Sequence, residues 1–121
     1  MDMKQPLVIA LAGARSRVGR SLARRLRAEG HTVVPVPPDY ATLPGSDVLI
    51  HLGGGSRRLA RRLPDAVTLP QTVLTTAARL RGADRLGVHV APLKLNDLRP
   101  DEAADLILWA LHLVENRLCL D

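Results

Sequence analysis

Hydrophobic and polar residues change period several times along the chain, and each change marks an element. Leu7-Val8-Ile9-Ala10-Leu11-Ala12 is a continuous apolar run ending at Gly13, the pattern of a parallel strand buried on both faces. From Val18 the period becomes helical: Val18, Leu22 and Leu26 recur every four residues with Ala23 beside them, while Arg20, Arg24 and Arg27 point elsewhere. Gly30 supplies the stop. Thr32–Val36 reads as a second strand, near a sheet edge because Pro35 cannot donate to a ladder, and Pro37-Pro38 ends it. A loop through Pro44-Gly45 leads to a third strand, Asp47–Leu52, closed by Gly53-Gly54-Gly55-Ser56. Ser56 can cap a short helix with Leu59, Ala60 and Leu63 on one side and Arg57, Arg58, Arg61 and Arg62 around it. Pro70 opens a further predicted helix, in which Leu69, Val73, Ala77 and Leu80 share a face. Arg85–Ala91 is expected as the fourth strand and stops at Pro92. Pro100 opens the last helix, with Asp101 and Glu102 complementing its dipole, and Arg117–Leu120 has the composition to add a final strand.

Alternating strands and helices imply an α/β fold with a mostly parallel sheet of four or five strands, the strand order across 73–92 being open. A chain of 121 residues has room for one core, so 1–121 is expected to be a single domain.

Composition narrows the function. With no Phe, one Tyr (Tyr40) and one Trp (Trp109), the core is aliphatic and stacking platforms for bases are scarce, which argues against a nucleic-acid role. The lone Cys119 cannot form an intrachain disulfide, and no Cys/His or carboxylate spacing suggests a metal site. After Lys4, the run Leu7–Ala12 is cut short by glycine and arginines too early for a signal peptide, and nothing approaches a membrane span. A cytoplasmic protein without membrane partners is the expectation. Net charge is +5, carried almost wholly by arginine, and ten arginines fall between Arg15 and Arg62. One end of the molecule should therefore favour anions such as phosphates or carboxylates, although solvated helix faces explain the same excess equally well.

Two turns carry candidate chemistry. Strand, Gly-containing turn and helix together aim backbone N–H groups and a helix dipole at a phosphate, and Ala12-Gly13-Ala14-Arg15-Ser16-Arg17-Val18-Gly19-Arg20 occupies such a turn. Gly53-Gly54-Gly55-Ser56-Arg57-Arg58 is a second Gly-rich turn into a helix, with two guanidinium groups behind it. In a parallel sheet both lie at strand carboxyl ends and are expected to face one crevice. The candidate binding residues are Gly13, Arg15, Ser16, Arg17, Val18 and Gly19 from the first turn and Gly53, Gly54, Ser56 and Arg57 from the second. His51, closing the third strand, is the candidate general acid or base, and His89 a weaker second; a satisfied structural histidine is the competing reading. Ser16, Thr75 and Thr76 have no recognisable base beside them.

The first turn and its continuation, Ser21-Leu22-Ala23-Arg24-Arg25-Leu26-Arg27-Ala28-Glu29-Gly30-His31-Thr32-Val33, resemble the opening of the short-chain dehydrogenase/reductase superfamily. Asp47–Gly53 resembles the family's strand whose carboxyl end covers the cofactor, and Leu98–Leu111 its late helix. The resemblance implies a small Rossmann-like three-layer sandwich that binds NAD or NADP. Departures bear on activity. The family's middle glycine falls at Ser16 or Arg17, where a side chain obstructs the approach to a pyrophosphate. The ribose-binding acidic residue aligns near Pro37, with Asp39 displaced, and the catalytic Tyr-x-x-x-Lys pair has no counterpart around Tyr40. The leading expectation is a degenerate relative that binds an anionic small molecule or nucleotide without autonomous hydride transfer, with non-redox acid/base chemistry open. The alternatives are an NADP-dependent reductase using Arg15 or Arg17 on the 2′-phosphate, and a non-catalytic scaffold or regulatory subunit. In the last helix Leu106, Ile107, Ala110, Leu111 and Val114 form the docking stripe, while Leu108, Trp109 and Leu113 lie outside it; a homodimer through residues 100–116 burying Trp109 is expected, unless the Arg57–Leu63 helix covers that side.

Overall fold

The structure, a computed structural model, describes residues 6–120, with side chains described to residue 116; Lys4, Asp121 and the Cys119 side chain lie outside the described part. Five parallel strands form one sheet: β1 (Val8–Ala12), β2 (Thr32–Pro35), β3 (Val48–His51), β4 (Thr72–Thr75) and β5 (His89–Pro92). Their order is β2-β1-β3-β4-β5, which resolves the order left open by the sequence. The register sets Ile9 beside Val33 and Val48, and Leu49 beside Val73. β2 is an edge strand, as Pro35 requires, and the opposite edge strand β5 ends on Pro92.

Strand alternation divides the core into two layers. Ile9, Leu11, Val48, Ile50 and Leu74 face helices α1 (Arg17–Ala28) and α3 (Pro100–Leu120), where they meet Leu22, Leu26, Ala104, Ile107 and Leu111. Ala10, Ala12, Leu49 and Val73 face the other way, onto Leu59 and Leu63 from α2 (Ser56–Arg62) and the short 3-10 turn after it, with Tyr40, Leu80 and Ala83 completing the layer. The result is a Rossmann-like three-layer α/β sandwich with a wholly parallel sheet.

Two junctions fix α1. At its start the Ser16 hydroxyl accepts the Gly19 N–H at 3.0 Å and donates to the Gly13 carbonyl at 2.7 Å. At its end the His31 N–H reaches Leu26 O and the Gly30 N–H reaches Arg27 O, with Gly30 at φ +93°, a Schellman stop. His31 then ties three elements. Its Nδ1 accepts the Leu7 N–H at 3.0 Å, leaving Nε2 to face the Glu115 carboxylate of α3 at 3.2 Å. Arg25 of α1 pairs with Asp105 of α3.

Three expectations are corrected. The helix expected from Pro70 is instead strand β4 followed by an ordered loop. All four β4 residues, Thr72, Val73, Leu74 and Thr75, are buried and pair on both sides, which no helical stripe allows. Leu69, Val73, Ala77 and Leu80 do share one core layer, but through a strand and a loop. The fourth strand expected at Arg85–Ala91 starts only at His89, because Asp84–Leu86 forms a 3-10 turn closed by Gly87 at φ +74°. Arg117–Leu120 adds no strand; its backbone continues α3.

Candidate functional site

The order β2-β1-β3 makes the chain leave β1 for one side and return on the other, so a switch point lies between β1 and β3, where open α/β sheets bind ligands. A cleft of about 890 Å³ opens there, at the carboxyl ends of β1, β2 and β3. One wall is the turn Ala12–Arg15, a second is Pro35–Pro38 with the Tyr40 ring, and the third comes from Leu52, Gly54, Gly55 and Arg58.

Glycine is a geometric requirement at both ends of the first turn. Gly13 sits at φ +90°, and a Cβ there would fall 2.6 Å from Leu52 O; a Cβ on Gly19 would fall 2.1 Å from Gly13 O. The turn therefore presses against β3 on one side and folds back on itself on the other. Between them stands Ser16, the helix N-cap, whose hydroxyl is committed to Gly13 and Gly19.

The cleft floor is held by a polar network centred on His51. The ring is 0% exposed, and both nitrogens are engaged: Nε2 lies 2.9 Å from Gly54 O and Nδ1 2.7 Å from Thr75 Oγ1. A carbonyl only accepts, so Nε2 carries the proton, and the Thr75 hydroxyl donates to Nδ1 while accepting the Ala77 N–H at 2.9 Å. Burial lowers the His51 pKa, partly offset by the Gly54 carbonyl, so the neutral ring is the stable form. The Tyr40 hydroxyl donates to the same carbonyl at 3.2 Å, and burial raises its pKa. Gly55, at φ +83°, lets the turn close over the Tyr40 ring, since a Cβ there would meet Tyr40 Cε2 at 2.7 Å. This geometry fits the structural reading of His51: a ring nitrogen would have to abandon a partner before it could take a substrate proton. His89 lies on β5, remote in strand order from the switch point.

The expected binding residues divide. Gly13, Arg15 and Gly54 line the cleft. Ser16, Arg17, Val18 and Gly19 form the capped turn and first turn of α1 behind it, and Gly53 is turned away, its N–H donating to Thr76 Oγ1 at 3.1 Å. Ser56 and Arg57 line a different cleft, of about 700 Å³, with Ala60, Arg61, Ala78, Arg79 and Arg81. The expectation that both turns face one crevice is thus corrected: adjacent helical residues do not share a face, so Arg58 enters the first cleft and Arg57 the second. Ser56 is also not the cap; it is the first helical residue, and the N-cap is Gly55, which makes no side-chain bond. Sequence reasoning missed the part of Tyr40 and the Pro35–Pro38 wall, and it counted Arg58 with Arg57 as an anion-binding pair without separating the two. Their signals were the prolines clustered after β2 and the i+1 offset of Arg58 from Arg57.

No family model matches the chain, and no curated protein matches it. Among solved structures, a nucleoside-diphosphate sugar epimerase from Corynebacterium glutamicum is similar over 60% of this chain, at 24% identity and a TM-score of 0.46. This chain spans 22% of that protein's chain. Among the described residues, no helix is long and apolar enough to cross a membrane, and no group of three or more His, Cys, Asp or Glu is arranged to hold a metal ion.

Proposed function

We propose that the protein binds an anionic nucleotide, or a small phosphorylated molecule of similar shape, in the cleft at the carboxyl ends of β1, β2 and β3. The observation that carries this reading is the cleft's composition. Apolar walls from Ala12, Ala14, Pro35, Val36, Pro37, Pro38 and Leu52 suit a flat base, and Arg15 and Arg58 supply two guanidinium groups for phosphate. The N-terminus of α1 adds its dipole from behind.

The side chains support binding and not hydride transfer. The Tyr40 hydroxyl is held on Gly54 O, and Pro44 stands where a Tyr-x-x-x-Lys pair would place its lysine. Ser16 fills the middle of the turn, which suits a phosphate resting on Arg15 better than a pyrophosphate pressed against the backbone. His51 acts in this reading as a positioning residue for the Gly54 carbonyl.

Isothermal titration calorimetry with AMP, NAD and NADP tests the proposal. Saturable heat from at least one nucleotide is expected, weakened at least tenfold in Arg15→Ala and Arg58→Ala. No heat from any of them, or identical heats in wild type and both variants, would overturn it.

A second feature supports a homodimer. On α3, Ala104, Ile107, Leu111 and Val114 dock on the sheet with Leu108 and Ala110 packed against them, so Leu108 joins the stripe it was expected to lie outside and Leu106 drops out of it. Trp109 is left 60% exposed and Leu113 47% exposed, one turn apart. The Arg57–Leu63 helix packs on the opposite sheet face and does not cover them. A two-fold contact would bury both side chains.

A further inference from the structure

Helix α2 is electrostatically unfavourable as it stands. It has no acidic residue in its first turn and no side-chain cap, so nothing on the helix offsets its four arginines. Arg57 with Arg61, and Arg58 with Arg62, are like-charged pairs four residues apart, a spacing that destabilises a helix. The loop after β4 brings two more cations to the same place. Leu80 is buried in the layer that holds Leu59 and Leu63, so Arg79 and Arg81 flank an anchored residue. The loop itself is pinned by the Ala77 N–H on Thr75 Oγ1 and by the Ala83 N–H on Leu80 O.

Arg57, Arg61, Arg79 and Arg81 thereby converge on the 700 Å³ cleft, over a floor of Ala60 and Ala78 and beside Ser56. Among the described residues, no carboxylate lines it. The ion pairs among the described residues join Arg25 to Asp105, His31 to Glu29 and Glu115, and His112 to Glu29; none involves these four arginines. The neighbouring recesses differ in holding carboxylates: Asp39 and Asp65 line one together with Arg58, Arg61 and Arg62, and Asp84 lines the other together with Arg79, Arg81 and Arg85, but none of these carboxylates reaches the cleft itself.

We propose that this cleft is a second anion site, taking the linked phosphates of a small polyphosphate ligand. Four guanidinium groups from two separate elements outmatch a single carboxylate or monophosphate, whereas two or three linked phosphates offer enough oxygens for several bidentate contacts. The bound anion would also relieve the like-charge repulsion among these arginines. A nucleic-acid strand is the less favoured occupant, because no aromatic side chain lines the cleft to stack a base. The site shares no lining residue with the strand-end cleft, so the two are separable by mutation.

The probe is inorganic tripolyphosphate, titrated calorimetrically into the whole chain at 100 mM KCl, with orthophosphate and a single-stranded oligonucleotide as comparison arms. Saturable tripolyphosphate binding is expected, at least tenfold tighter than orthophosphate. It should be lost by at least tenfold in Arg57→Gln/Arg79→Gln and unchanged in Arg15→Ala/Arg58→Ala. Amide chemical-shift changes in the wild-type protein, expected at 56–61 and 78–81, give the same answer without any variant. Absence of saturable binding, shifts confined elsewhere, loss in the Arg15/Arg58 variant alone, or tighter binding of the oligonucleotide at these same residues would each overturn the proposal.

Discussion

Replacing Gly19 with alanine would set a Cβ 2.1 Å from the Gly13 carbonyl oxygen, 2.8 Å from Ala14 Cα and 2.9 Å from Gly13 C. All three obstacles are backbone of the turn between β1 and α1, so no side chain can swing aside. Moving that backbone strains the bond from Ser16 Oγ to Gly13 O and the N-cap bond from the Gly19 N–H to Ser16 Oγ. Overpacking of this kind costs about 1–3 kcal/mol, and losing the cap about 1 kcal/mol more. Alanine recovers at most about 1 kcal/mol of helix propensity. The net expectation is destabilisation by about 1–3 kcal/mol, the balance of those same terms. Gly54→Ala is the control: no atom lies within 4 Å of its added Cβ and its φ is not positive, so a change within about 0.5 kcal/mol is expected. Urea denaturation of the two variants and wild type, with m-values compared, reads the difference directly. Equal midpoints for Gly19→Ala and wild type would refute the close-packed turn and with it the placement of the cleft wall.

His51 gives a pH signature. Burial holds its folded pKa below the unfolded value of about 6.5, so the unfolded chain takes up the proton first; stability is present above about pH 6.5 and declines as pH falls below it. Urea midpoints between pH 7.5 and 5 should fall more steeply for wild type than for His51→Gln, by at most about 1.4 kcal/mol per pH unit, and parallel slopes would show that the ring is not buried neutral. Sedimentation at micromolar concentration should give a dimer for wild type and a monomer for Trp109→Glu. A 13.1 kDa wild-type species would exclude the α3 contact.

The order of elements was legible wherever burial and period agreed. The run before Gly13 could only be a strand buried on both faces, the Val18-Leu22-Leu26 spacing could only be one stripe of a helix, and Pro35 marked the edge. β4 was misread because Leu69, Val73, Ala77 and Leu80 reach one core layer at helix-like intervals, although a four-residue strand and a folded-back loop bring them there. β-branched Thr72, Val73 and Thr75 side by side were the signal for a strand. At the site, the first turn was readable because both of its glycines are sterically necessary. The second was not, because its polar groups turn inward: His51 and Tyr40 share the Gly54 carbonyl, and Thr76 takes the Gly53 N–H. The wall at Pro37–Tyr40 depends on how the loop folds back, with Tyr40 itself at φ +55°, which no periodicity records.

Amide chemical-shift mapping of the uniformly labelled protein during a titration with NADP tests the central claim most directly. Binding in the strand-end cleft predicts saturable shifts at Gly13, Ala14 and Arg15, at Val36 and Tyr40, and at Leu52, Gly54 and Gly55, with the Arg58→Ala variant requiring at least tenfold more nucleotide to reach the same shifts. Saturable shifts that avoid these residues, or no shifts at millimolar nucleotide, would contradict it.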